Sequence, residues 1–264
     1  MSLDPASIRA IIFDFGNTLV QFDHEQVSRI DGEMIAFLER RCGPLDRDRF
    51  HAIREADRIA PYQNEFRENH LPTLFANHIR QLYGIEPEAD LLDEMARVRL
   101  EAFLEAIQLP PYVHGLLAQL QAERHGGCKL AVLSNYPDGD TIRASLQRLG
   151  IRELFDAIVV SGDIGRVKPH PFAFETVLAG LNVTAESALH VGDNWLADIQ
   201  GAKRCGLHAC HLTQWETPER FSPADGDLQP DLVIEHLSQL PGSMLRASAR
   251  VRLSRPTSQR GVRE

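Results

Sequence analysis

The sequence predicts an α/β fold: a Rossmann-like parallel sheet core with an inserted α-helical cap. Three observations predict it. A short apolar run ends at Asp14 and is followed by a Gly-Asn turn. A long stretch of helical periodicity comes next. From residue 113 onward, short apolar strands alternate with amphipathic helices, the pattern of right-handed crossovers in a parallel sheet.

In chain order, residues 9–13 read as a buried strand stopping at Asp14, with Gly16-Asn17 marking a sharp loop. Ile30, Met34, Phe37 and Leu38 recur at helical spacing, as do Leu91, Leu92, Met95, Val98 and Phe103, so residues 27–109 read as helical throughout. Cys42-Gly43-Pro44 and Tyr83-Gly84-Ile85 divide this block, and Leu109-Pro110-Pro111 closes it. Helices are then expected over 113–124, 141–149, 171–181 and 198–205, and strands over 129–133, 157–160, 188–191, 208–212 and 231–234. The expected division is a catalytic core of residues 1–20 and 110–243, a helical cap of 21–109, and a basic tail of 244–264 with little apolar periodicity.

The bulk properties narrow the class. The 264 residues are 43% hydrophobic and 25% charged, ordinary for a soluble globular chain. No apolar run approaches the roughly 18–20 residues of a membrane span, and the start lacks a basic-then-apolar leader pattern. Cys42, Cys128, Cys205 and Cys210 form no CxxC pair, so reduced thiols in a cytoplasmic protein are expected. The formal charge is −9; the tail carries six Arg and one Glu, leaving −14 on the rest of the chain. An acidic body argues against nucleic acid as a partner. Oligomeric state is not readable.

Ligands of an open parallel sheet bind beyond the carboxyl ends of its strands. Asp14, Ser134, Lys168 and Asp193 all stand at predicted strand ends or in the loops just after them. A carboxylate such as Asp14 can attack phosphorus. Ser134-Asn135 offers a hydroxyl and an amide to phosphate oxygens. Lys168, one of only three lysines, would neutralise carboxylate and phosphoryl group together. Asp193, followed by Asn194 and by Asp198 at the next helix start, suits a hard ion such as Mg²⁺. Each residue alone is an ordinary cap, turn or surface residue; their joint occurrence in order is what points to a site.

Four segments carry a resemblance: Phe13-Asp14-Phe15-Gly16-Asn17-Thr18-Leu19; Leu133-Ser134-Asn135; 161–169, which ends Gly165-Arg166-Val167-Lys168-Pro169; and Val191-Gly192-Asp193-Asn194 through Asp198. The chain resembles the haloacid dehalogenase superfamily of hydrolases with a helical cap after the first strand. The resemblance implies an aspartyl-phosphate intermediate and Mg²⁺. It also implies Asp14 as nucleophile and metal ligand, the Gly16 carbonyl and Asp193 as further metal ligands, and Ser134, Asn135 and Lys168 on phosphate. Asp198, Asn194 and Thr18 would support the loops. A small phosphorylated molecule is the implied substrate.

One position departs from the family pattern. Family phosphatases carry a second aspartate two residues after the nucleophile, as general acid and base; here that residue is Gly16. Such help is typically worth roughly 10²–10⁴ in rate. His24, Asp23 or a cap residue could replace it. Alternatives are a metal-independent 2-haloacid dehalogenase and a weak or inactive domain that only binds. Schiff-base chemistry from a cap lysine is disfavoured, because residues 21–109 contain no lysine. The segment Pro61-Tyr62-Gln63-Asn64-Glu65-Phe66-Arg67 could face the site.

Overall fold

A computed structural model describes residues 3–4, 6–122, 128–215 and 223–241. The 244–264 tail expected from sequence lies outside them. Six parallel strands form one sheet: β1 (Ala10–Phe13), β2 (Lys129–Ser134), β3 (Ala157–Val160), β4 (Ala188–Gly192), β5 (His208–Leu212) and β6 (Leu232–Ile234). Their order is β3-β2-β1-β4-β5-β6. β1 is buried on both faces, as a central parallel strand must be. Ile11 and Phe13 join one apolar cluster with Leu117 and Phe155. Ala10 and Ile12 join another with Phe174, Val177 and Leu181.

Between β1 and β2 run α1 (His24–Cys42), α2 (Arg47–Gln63), α3 (Leu71–Tyr83), α4 (Ala89–Ala106) and α5 (Val113–Ala122). Asp23 caps α1: its Oδ1 accepts from Glu25 N (2.9 Å), and Gln26 Oε1 accepts from Asp23 N (3.0 Å). The first four helices share an apolar cluster built on Met34, Leu38, Phe50, Phe75, Ile79 and Met95. Ile30, Ala102 and Phe103 turn instead toward the sheet side, packing with Phe15 and Leu19.

The helical block has one break that periodicity does not predict, at residues 64–70. Pro61 lies in the last turn of α2, Glu65 and Phe66 adopt positive φ (51° and 58°), and Pro72 sits at the start of α3. The released segment crosses to the sheet side. Phe66 O accepts from Val167 N (3.0 Å), Glu68 N donates to Gly165 O (3.2 Å), and Arg166 Nη1 donates to Glu65 O (3.1 Å). The turn signals read only bonds within the block, and these partners are about 100 residues away.

After β2 come α6 (Gly139–Arg148), the single turn α7 (Ser161–Ile164), α8 (Pro171–Leu181), and a π-helical turn Trp195–Gln200 that runs into α9 (Gly201–Arg204). No described helix is long and apolar enough to cross a membrane.

Candidate active site

The sheet register brings the polar residues together. Phe13 lies opposite Val132 on one side and Val191 on the other, and Asp14 N donates to Val191 O (2.9 Å). Asp14 therefore leaves β1 within a residue or two of the points where Ser134 ends β2 and Asp193 follows β4. β1 is also where the chain switches direction across the sheet, the point at which such folds open a crevice.

Lys168 reaches this crevice from the loop before α8. Its main chain is clamped by one side-chain amide: Lys168 N donates to Asn135 Oδ1 (2.7 Å) and Asn135 Nδ2 donates to Lys168 O (2.9 Å). The ammonium, 1% exposed, donates to Asp14 Oδ1 (2.7 Å) and Asp198 Oδ1 (2.6 Å). Asp198 also accepts from His190 Nε2 at Oδ1 (2.9 Å) and from Asn194 N at Oδ2 (3.0 Å). Gly192 makes this approach possible, since a Cβ there would stand 2.3 Å from Asp198 Cγ.

The electrostatics follow from burial against pairing. Burial pushes Asp14 up to about 6, and the Lys168 ammonium offsets that only in part. Burial acts in the same direction on Asp198, but Lys168 and His190 outweigh it and hold this carboxyl well below the usual range. Burial pulls Lys168 down; Asp14 and Asp198 more than reverse this, so the ammonium stays charged. Burial holds His190 below its ordinary value.

Carboxylate oxygens of Asp14, Asp193 and Asp198 all lie within 4.8 Å of one another. Asp198 already accepts three hydrogen bonds, so Asp14 and Asp193 are the carboxylates turned to a ligand. The main-chain bonds beside Gly16 run from Asn17 N to Val20 O (2.7 Å) and from Val20 N to Phe15 O (3.2 Å), and the Gly16 carbonyl itself has no partner among the described residues. Two carboxylates and a free carbonyl, against a single ammonium, are a hard-oxygen set that fits Mg²⁺.

Several expected residues sit otherwise. The Asn135 side chain holds the Lys168 backbone rather than phosphate, so the main-chain N–H is what this residue can turn to a ligand. Thr18 is fully buried, its hydroxyl without a partner among the described residues. Asn194 caps the following turn by accepting from Ala197 N (2.8 Å). Neither Asp23 nor His24 lines the cavity: Asp23 is taken up by capping, and His24 points outward near Ser28 Oγ (3.4 Å). Just after Gly16, which stands where the aspartate is missing, Asn17 adopts positive φ (54°) and its Oδ1 accepts from Phe22 N (2.8 Å). That turn lays Phe22 on Gly16, where a Cβ would meet Phe22 Cβ at 3.2 Å.

Tyr62 does face the site. It lines the cavity, hydrogen-bonds the Asn135 side chain, and is raised to about 12 chiefly by burial, so it stays protonated at neutral pH. Arg67 instead pairs with Glu65 at the surface (3.1 Å). His190 is a residue sequence reasoning missed; the available signal was one histidine inside an otherwise apolar strand, Ala188–Gly192.

A cavity of about 300 Å³ opens above these groups, lined on the sheet side by Asp14, Ser134, Lys168 and Asp193 and on the helical side by Arg54, Tyr62 and Arg99.

Comparison with known proteins identifies the family. A sequence description of the haloacid dehalogenase-like hydrolases matches residues 8–206. Phosphoserine phosphatase of Thermus thermophilus is 32% identical over 153 residues, which is 58% of this chain and 59% of that protein. Glyceraldehyde 3-phosphate phosphatase of Methanopyrus kandleri is 27% identical over 88% of this chain and 95% of its own length. The crystal structure of a 2-haloacid dehalogenase from Pseudomonas syringae superposes with a TM-score of 0.69 at 25% identity, covering 90% of this chain and 99% of that one.

Proposed function

The chain belongs to the haloacid dehalogenase-like hydrolases, and on that premise we propose that it is a Mg²⁺-dependent phosphatase acting on a small phosphate monoester through Asp14. The observation that carries this reading is Lys168 buried between Asp14 and Asp198, with Asp193 close enough to share a cation with Asp14. Two of the relatives bear the names of phosphatases of small phosphate esters.

In this reading the Asp14 carboxylate attacks phosphorus and the ester oxygen leaves with its electron pair, forming an aspartyl-phosphate. Lys168 offsets charge on both the carboxylate and the phosphoryl oxygens. Ser134 Oγ and the Asn135 N–H donate to those oxygens. Water then cleaves the acyl-phosphate, releasing phosphate and restoring Asp14. Asp14, Asp193 and the Gly16 carbonyl would hold Mg²⁺, which supplies charge neutralisation at the phosphoryl group. Because Gly16 brings no carboxyl to protonate the leaving oxygen, the reaction is fastest for leaving groups that need little protonation.

The test is p-nitrophenyl phosphate turnover with Mg²⁺ and with chelator. Turnover that needs the metal and vanishes in Asp14→Asn is expected; none with any divalent ion counts against the phosphatase. A second reading, haloacid dehalogenase, is favoured by Gly16 and by the dehalogenase structure at 25% identity. Chloride release from 2-chloropropionate without metal would select it instead.

A further inference from the structure

The cavity does not end at Asp14. Its far side, between α1, α2 and α4, is formed by Phe22, Ile30, Phe103 and two guanidinium groups, Arg54 and Arg99. Arg99 is 5% exposed. Its Nε donates to Tyr136 Oη (3.2 Å) and its guanidinium lies over the Tyr136 ring, 5.6 Å from the centroid. It forms no ion pair with a carboxylate among the described residues. Arg54, with its side chain 14% exposed, donates from Nε to Asp31 Oδ1 (3.1 Å). Of the two guanidiniums, only Arg54 thus has a carboxylate partner among the described residues.

The other acids on this side are engaged elsewhere. Asp57 Oδ2 lies 2.5 Å from His78 Nε2. Glu68 accepts from Ser161 Oγ (2.6 Å) and Asn69 N (2.9 Å). Burial and then the neighbouring Arg99 depress the Arg54 pKa, which puts the two cations within electrostatic reach of each other. A buried charge without a counter-ion is costly, and planar guanidinium is the group suited to bidentate capture of carboxylate or phosphate. Tyr136 holds the Arg99 fork in place, which lowers the ordering cost of binding.

We infer that Arg99 and Arg54 hold a second anionic group on the substrate, whose phosphoryl end meets Asp14. This rests on the phosphatase reading for its reaction, though not for the anion site itself. The substrate class is a short-chain bifunctional anion, either a phosphocarboxylate or a bisphosphate. About 300 Å³ has room for a phosphoryl group, a short carbon frame and a second anionic group, and the Phe22, Ile30 and Phe103 side chains suit an uncharged spacer.

The experiment compares three ligand series on two-, three- and four-carbon frames: ω-phosphorylated carboxylates, diol bisphosphates, and diol monophosphates that end in a hydroxyl. Binding is measured by calorimetry on Asp14→Asn with Mg²⁺, so turnover does not enter. A charge-assisted contact predicts that the carboxylate or the bisphosphate binds roughly 10- to 100-fold more tightly than the hydroxyl compound of equal length. Which of the two wins identifies the second anion. Adding Arg99→Met should bring that ratio to within about threefold of unity, and Arg99→Lys should retain part of it. If Arg99→Met fails to fold, the Arg99→Lys and Arg54→Met ratios carry the test. Equal affinity across the three series overturns the inference. Phosphate release by the wild-type enzyme separates the two readings. Release without discrimination leaves the phosphatase and removes the anion site; selective binding with no release from any ester leaves the anion site and removes the phosphatase.

Discussion

Asp14→Asn should make the metal-free protein more stable, although it removes the nucleophile. Burial raises the Asp14 carboxyl from its ordinary 3.8 to about 6. The folded state therefore keeps a proton that the unfolded chain has already released, and stability falls as pH rises through this interval. At pH 7 the penalty is about two pKa units at ~1.4 kcal/mol each, or roughly 3 kcal/mol. The side chain is only 13% exposed, so solvent screening removes little of it. Asparagine resembles the protonated acid and escapes the penalty. For a chain of this size the gain corresponds to a melting point roughly 6–12 °C higher. Melts of both proteins in chelator at pH 4.5 and 7 check this. The advantage should shrink toward pH 4.5, where wild-type Asp14 is largely protonated, and should narrow at pH 7 when Mg²⁺ is added. Equal melting points at pH 7 in chelator, or an advantage unchanged at pH 4.5, would refute the reasoning.

Other substitutions act in the opposite sense or on the chemistry. Lys168→Met strands two buried carboxylates and should cost about 3–5 kcal/mol in metal-free urea unfolding, with phosphate release lost. Asn135→Ala removes both bonds to the Lys168 main chain, about 1–3 kcal/mol in the same assay, and should lower turnover through a misplaced ammonium. Gly16→Asp must shift Phe22 by a few tenths of an ångström. It should raise the rate on alkyl phosphates relative to p-nitrophenyl phosphate by roughly 10²-fold, and by more in a Phe22→Ala background; an unchanged ratio would deny position 16 an acid's role.

The sheet was legible because a central parallel strand is apolar on both faces, as β1 is, and because each strand ends at a polar residue. Asp14, Ser134 and Asp193 could be read for the same reason: parallel register alone brings strand ends together, whereas Lys168 comes in from the loop before α8. What could not be read depends on contacts between distant segments. Nothing in the sequence shows that the Asn135 side chain holds a backbone 33 residues on. Asp23 and His24 follow the loop in sequence, yet helix capping turns them away. Arg54 and Arg99 lie on different helices, and periodicity gives a helix face without saying what it meets. The break at 64–70 has no apolar signal because its partners are main-chain groups of residues 165–167.

That crossing of 66–68 onto 165–167 has a mechanical consequence. Any swing of α1–α4 away from the sheet must either rupture two main-chain hydrogen bonds or drag along the peptide that ends in Lys168. Two such bonds amount to only about 1–3 kcal/mol, so the tether is weak enough to yield within a turnover. Loosening it frees residues 165–167 beside Lys168, whose own main chain stays clamped by Asn135. Surface changes at Arg67 or Arg166, far from phosphorus, should therefore be felt in the rate of release.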